Sequence, residues 1–163
     1  MLTVSDRASA GTRTDESGPA LAARLDAAGF AVTQRVCPDE RGAIAEAIRD
    51  AVASGHALIV ATGGTGVAPT DVTPQALAGL LDYEVPGFGE LMRAEGRRST
   101  PFSTLSRSLG GVIGRTFVLA VPGNPRGAVE SFDAVADLLD HVVELLAGTP
   151  GHHDHGSEES GPP

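Results

Sequence analysis

Thr62-Gly63-Gly64-Thr65-Gly66 places three glycines and two threonines directly after an apolar run, Ala57-Leu58-Ile59-Val60-Ala61. Glycines let a backbone approach a ligand closely and turn its N–H groups inward as an anion nest, and threonine hydroxyls add donors. A tight strand-to-helix turn would use the same residues, and the pattern is not the dinucleotide fingerprint GxGxxG. Asp71 follows the loop, and Thr73-Pro74 then opens a helix whose N-terminus favours an anion. Asp39, set behind Pro38, is a second carboxylate beyond a strand end rather than on a helix face. Two carboxylates there could hold Mg²⁺, which takes few protein ligands and shares the oxygens of phosphates.

The chain has no lysine, so all twelve side chains counted as Lys or Arg are arginines. A Walker-type phosphate loop and Schiff-base chemistry both need that amine and are excluded. Bound phosphate must then be met by backbone N–H groups, hydroxyls, a metal ion or arginine, whose planar donors suit it. Arg7 and Arg107 lie in polar loops, and Arg93, Arg97 and Arg98 follow Pro86-Gly87-Phe88-Gly89-Glu90; each alone also reads as a solvated surface charge. The formal charge of −9 argues against nucleic-acid binding. It also means that anionic substrates need a divalent cation between like charges.

No apolar run approaches a membrane span, and no signal peptide is evident, so the expectation is a cytoplasmic protein. Cys37, the sole cysteine, excludes an internal disulfide and any CxxC zinc arrangement and reads as a small buried hydrophobe. His56 and His141 read as structural, and His152, His153 and His155 with Asp154 lie on a tail poorly suited to a metal centre.

These residues must be positioned by strands and helices, and the pattern supplies both. Leu2-Thr3-Val4 reads as a strand running into the polar turn Ser5-Asp6-Arg7. Ser17-Gly18-Pro19 opens a helix that ends at Gly29, and residues 30–37 read as a second strand broken at Pro38. Residues 42–54 form an amphipathic helix through Ile44, Ala47, Ile48 and Ala51, stopped by Gly55. Ala57–Ala61 and Thr116–Val121 are continuous apolar runs, as strands covered on both faces require. The helix opened by Thr73-Pro74 should end near Leu81. Residues 86–98 read as a loop and helix, followed by a Ser/Thr-rich stretch to Gly111. Asn124 caps one last long helix running to Gly148. The alternation predicts an α/β fold, three layers with a mainly parallel sheet. Four strand ends, at Ser5-Asp6, Pro38-Asp39, Thr62–Gly66 and Pro122-Gly123-Asn124, turn polar or glycine-rich where ligands bind such sheets. Residues 1–148 form one domain, and residues 149–163 read as a disordered acidic tail.

The chain resembles the molybdopterin-binding proteins of molybdenum cofactor biosynthesis, which include molybdopterin adenylyltransferases and the G domain of gephyrin-type proteins. The matching segments are SDRASAG from Ser5, Asp15 with Ser17-Gly18-Pro19, Pro38-Asp39, ATGGTG followed by DVTP, PGFGELMR from Pro86, Ser106-Arg107 and VPGNP from Val121. They run in family order from residue 3 to about 148. The resemblance implies a homotrimer, possible dealings with other proteins of that pathway, and AMP transfer from MgATP to the molybdopterin phosphate. It implies catalytic and Mg²⁺-handling roles for Asp39 and Asp71. Substrate contacts are expected from Ser5, Asp6, Gly63, Gly64, Thr65, Gly66, Thr73, Ser106, Arg107, Pro122, Gly123 and Asn124. A carrier that holds molybdopterin without turning over is the alternative. The first strand begins one residue after Met1, closer than the family pattern leads one to expect, which suggests an internal or truncated start. The tail is not part of the pattern.

Overall fold

Six consecutive buried residues, Thr116–Val121, form the strand around which the structure is built. In the computed structural model, which describes residues 1–148, this strand (β6) pairs in parallel with β3 (Leu58–Thr62), register Ile59 to Val118 and Thr62 to Val121. β3 pairs in parallel with β1 (Leu2–Val4), which pairs in parallel with β2 (Arg35–Cys37). On the other side, β5 (Leu109–Ile113) runs antiparallel to β6 and carries the two-residue strand β4 (Tyr83–Glu84), also antiparallel. The order is β2-β1-β3-β6-β5-β4.

Alternation along the strands separates two cores. Phe117, Leu119, Val121 and Val60 face one layer, made by Leu21 and Leu25 of α2 (Ser17–Ala27), Phe88 and Met92 of α5 (Pro86–Gly96), Phe132 of α6 (Pro125–Asp133) and Leu139 of α7 (Ala136–Ala147). Val118, Ala120, Ile59, Ala61, Leu2 and Val4 face the opposite layer, made by Ile44, Ala47 and Ile48 of α3 (Arg41–Ala53) and Ala76 and Leu77 of α4 (Thr73–Ala78). The Phe88 and Phe117 rings meet with centroids 4.7 Å apart, tilted by 53°. This is the expected three-layer arrangement. Among the described residues no helix is long and apolar enough to cross a membrane.

Several boundaries differ from expectation. Residues 30–34 are irregular, and only Arg35–Cys37 pair, because the partner strand offers only Leu2–Val4. The turn Ser5-Asp6-Arg7 is instead the start of a short helix, α1 (Asp6–Ser9), capped by the Ser5 hydroxyl accepting from the Ala8 amide. α4 stops at Ala78 rather than near Leu81, and the amides of Leu80 and Leu81 close turns on the Leu77 carbonyl. The Ser/Thr-rich stretch contains the 3₁₀ turn Pro101–Leu105 and then β5. The single long last helix is two, broken at Val135, whose φ of −129° and ψ of 0° leave the helical region. The tail with its three histidines lies outside the described residues.

Candidate active site

The strand order reverses at β1: β2 lies on one side of it and β3 on the other. At such a switch point the connections leave in opposite directions and open a crevice beyond the C-terminal strand ends. The crevice here has a volume of about 500 Å³ and is lined by Ser5, Asp6, Asp39, Gly63, Gly64, Asp71, Gly123 and Asn124, with Arg7, Arg13, Asp15 and Thr70. A second cleft of about 590 Å³ adjoins it, lined by Thr65, Gly66, Ser106, Pro122, Met92 and Ser131 among others. Gly64, Asp71, Gly123 and Asn124 line both, so the clefts share a floor. Val67, Phe102 and Leu105 give the second cleft region exposed apolar surface, Phe102 at 73%.

The glycine loop is held from three sides. The Gly63 amide donates to the Val121 carbonyl, the Thr62 hydroxyl to the Pro122 carbonyl, and the buried Thr73 hydroxyl to the Gly63 carbonyl. Gly63 has φ +111° and lies so close to β1 that an added Cβ would overlap the Val4 carbonyl oxygen. Gly64 has φ +60°, and a Cβ there would stand 3.1 Å from Asp39 Oδ1 and 2.5 Å from Thr73 Oγ1. The Asp39 carboxylate therefore stands against the loop.

Asp39 is fixed by a reciprocal pair of bonds. Its Oδ2 accepts from the Asp6 amide at 2.9 Å, and its own amide donates to Asp6 Oδ1 at 2.8 Å. The loops after β1 and β2 are thus clamped to each other. Burial pushes the Asp39 carboxyl above its ordinary value, the Asp6 amide pulls it back, and the negative charges of Asp6 and Asp71 raise it again. Asp71 Oδ2 accepts from the Ala68 amide, which closes its own turn. Among the described residues no three acidic, histidine or cysteine side chains converge as a metal cage. Two carboxylates at a crowded, electronegative edge do fit a Mg²⁺ ion that draws its other ligands from phosphate and water.

Two expected contact residues serve the loop instead of lining either cleft. Thr73 neither faces a cleft nor caps its own helix, because its hydroxyl holds Gly63. Arg107 donates from its amide to the Thr65 carbonyl, from Nε to the Gly66 carbonyl at 2.7 Å and from Nη2 to the Asp71 carbonyl at 2.6 Å. Asn124 both lines the clefts and caps α6, its Oδ1 accepting from the Gly127 amide. Asp15 accepts from the Thr3 hydroxyl, the Ser17 hydroxyl and the Gly18 amide, and so supplies the cap at the start of α2. Among the lining residues that the sequence did not single out are Arg13 and Thr70 in the first cleft and Phe102 and Ser131 in the second. Their only signal was proximity to the motifs.

A family model described as a probable molybdopterin binding domain matches residues 1–141. The molybdenum cofactor biosynthesis bifunctional protein of Synechococcus elongatus is 41% identical over 96% of this chain, which spans 48% of that protein. The molybdopterin adenylyltransferase of Haemophilus influenzae is 39% identical over 88% of this chain and 75% of its own length. The crystal structure of the molybdopterin biosynthesis enzyme MoaB from Thermus thermophilus superposes with a TM-score of 0.85 at 46% identity, covering 91% of this chain and 95% of that one.

Proposed function

This chain belongs to the family of probable molybdopterin binding domains, and from that premise we propose that it transfers AMP from ATP to the terminal phosphate of molybdopterin. The observation that carries this reading is the pair of clefts meeting over Gly64, Asp71, Gly123 and Asn124. Two phosphate-bearing molecules, one in each cleft, would bring their phosphates together on that floor. The names of relatives such as the Haemophilus influenzae adenylyltransferase support the same choice.

An oxygen of the pterin phosphate forms a bond to the α-phosphorus of ATP. The bond from that phosphorus to the oxygen bridging to the β-phosphorus breaks, and its electron pair leaves with pyrophosphate. The nucleophile is already ionised, so no general base is needed, and the protein contributes position and charge neutralisation. The Gly64 amide donates to a phosphate oxygen, whereas the Gly63 amide is taken by the Val121 carbonyl. Asp39 and Asp71 would hold Mg²⁺, which would neutralise charge on the phosphates. Arg107 fixes the carbonyls of Gly66 and Asp71, and so the turn that carries the second carboxylate. The reading brings with it a homotrimer and a cytoplasmic place beside other molybdenum cofactor proteins.

Asp6 acts through Asp39, because its carboxylate accepts the Asp39 amide. Asp6→Asn keeps an oxygen in that position and is expected to retain most of kcat. Asp6→Ala loses it and should lower kcat by about tenfold, the scale of one charge-assisted hydrogen bond, with the KM for ATP nearly unchanged. Steady-state kinetics of the two variants check this; equal losses would assign Asp6 a charge role instead.

The function itself is tested by incubating purified protein with molybdopterin and MgATP. Pyrophosphate release that requires both substrates is expected. Binding of both without pyrophosphate release would refute transfer and support a carrier.

A further inference from the structure

We propose that Arg7 and Arg13 form the receiving pair for the β- and γ-phosphates of the nucleotide and then hold the departing pyrophosphate; this rests on the adenylyl-transfer reading above. Few cations can reach the phosphates. With no lysine in the chain, arginine is the only permanent side-chain cation. Arg7 and Arg13 line the first cleft, and among the described residues no arginine lines the second. Arg107, the other arginine near the glycine loop, has Nε and Nη2 committed to backbone carbonyls.

The backbone brings the pair together. The amides of Thr12 and Arg13 and the hydroxyl of Thr12 all donate to one acceptor, the Arg7 carbonyl, at 2.9, 3.1 and 3.1 Å. Three bonds on one oxygen fold the loop back, so residues 7 and 13 stand on one rim of the cleft. The ion pairs among the described residues involve Arg24, Arg35, Arg98 and Arg126, and neither Arg7 nor Arg13 takes part in one. Asp15, the nearest carboxylate in sequence, is held by Thr3, Ser17 and the Gly18 amide.

The chemistry asks for such a pair. Asp6, Asp39 and Asp71 make the cleft floor negative, which suits a magnesium ion but repels a polyphosphate tail. When the bond from the α-phosphorus to the bridging oxygen breaks, that oxygen becomes a terminal one and pyrophosphate gains charge. Guanidinium forks bind phosphate in a two-pronged fashion and stabilise charge that develops there. The expected orientation therefore has the tail pointing to the loop between α1 and α2, away from the shared floor.

Inorganic pyrophosphate is the probe. Calorimetry with Mg²⁺ should show it binding the intact protein, with affinity lowered roughly 10- to 100-fold in Arg7→Ala and in Arg13→Ala. Molybdopterin affinity should not change. Arg49→Ala, which removes the same charge on the exposed surface of α3, should leave pyrophosphate affinity as it is. Both arginines are exposed, and thermal melting checks that the variants fold. Unchanged pyrophosphate affinity in the doubly substituted protein, or no pyrophosphate binding by the intact protein, would overturn the assignment. If the arginine variants lose pyrophosphate but the intact protein never adenylylates molybdopterin, the anion pair stands and the transfer reading fails. If the intact protein turns over and the substitutions leave pyrophosphate binding unaltered, the reverse holds.

Discussion

Asp39→Asn is expected to lower turnover by about 10²- to 10³-fold, the scale of removing one preorganised electrostatic group from a reacting centre, while the folded protein becomes no less stable. Both halves follow from one environment. Burial and the charges of Asp6 and Asp71 hold the Asp39 proton above its ordinary value. A carboxyl whose folded-state value is raised favours the folded state where it is protonated, and that contribution is lost as pH rises through the raised value. At neutral pH the ionised Asp39 thus opposes folding. An amide removes this opposition, and its oxygen can still accept the Asp6 amide. What it would not supply is the negative charge that the proposed Mg²⁺ ion needs. If Asp39 holds Mg²⁺ as proposed, the ion would compete with a proton held more tightly than on an ordinary aspartate, so Mg²⁺ dependence should steepen as pH falls. Asp71→Asn should lose turnover in the same way, since the second carboxylate flanks the same floor. Kinetics paired with thermal melting separate the outcomes. Unchanged turnover in both variants would leave a binding protein, and a melting temperature lowered together with turnover would make Asp39 structural.

The second large effect belongs to the backbone. Gly63→Ala is expected to destabilise the protein by roughly 2–5 kcal/mol, adding the cost of a left-handed residue to that of overpacking. The added Cβ overlaps the Val4 carbonyl oxygen, which is backbone and cannot swing aside. Moving that carbonyl disturbs the end of β1, and Ser5 and Asp6 with it, so the clamp on Asp39 loosens. Gly55 provides the internal control: its φ is +80°, and nothing lies within 4 Å of an added Cβ. Gly55→Ala should show the conformational cost alone, about 1–2 kcal/mol. Urea unfolding of the two variants measures the difference, and equal losses would mean that the loop gives way at no cost.

The two central strands and the glycine loop were legible because each carries a local cause. Ala57–Ala61 and Thr116–Val121 are apolar at every position except Thr116, and only a strand with both faces covered tolerates that. β5 was not legible, since glycine at 110 and 111 weakens any strand signal; those glycines are needed because side chains there would strike Phe88, Phe117 and Leu81. β2 was overread because its length is set by its partner. The break at Val135 carries no glycine or proline to announce it. At the site, Asp39 and Asp71 could be chosen from their places beyond strand ends. The turning inward of Arg107 toward carbonyls, and the return of Arg13 to the rim beside Arg7, depend on loop closure that no single segment encodes.

Adenylyl transfer moves the α-phosphorus of ATP to molybdopterin. ATP labelled at the α-phosphorus, incubated with Mg²⁺, molybdopterin and the intact protein, should leave its label covalently on the pterin, while a γ-label leaves in pyrophosphate. Label that appears only in free AMP, or that stays in ATP with the pterin bound, would rule out adenylyl transfer.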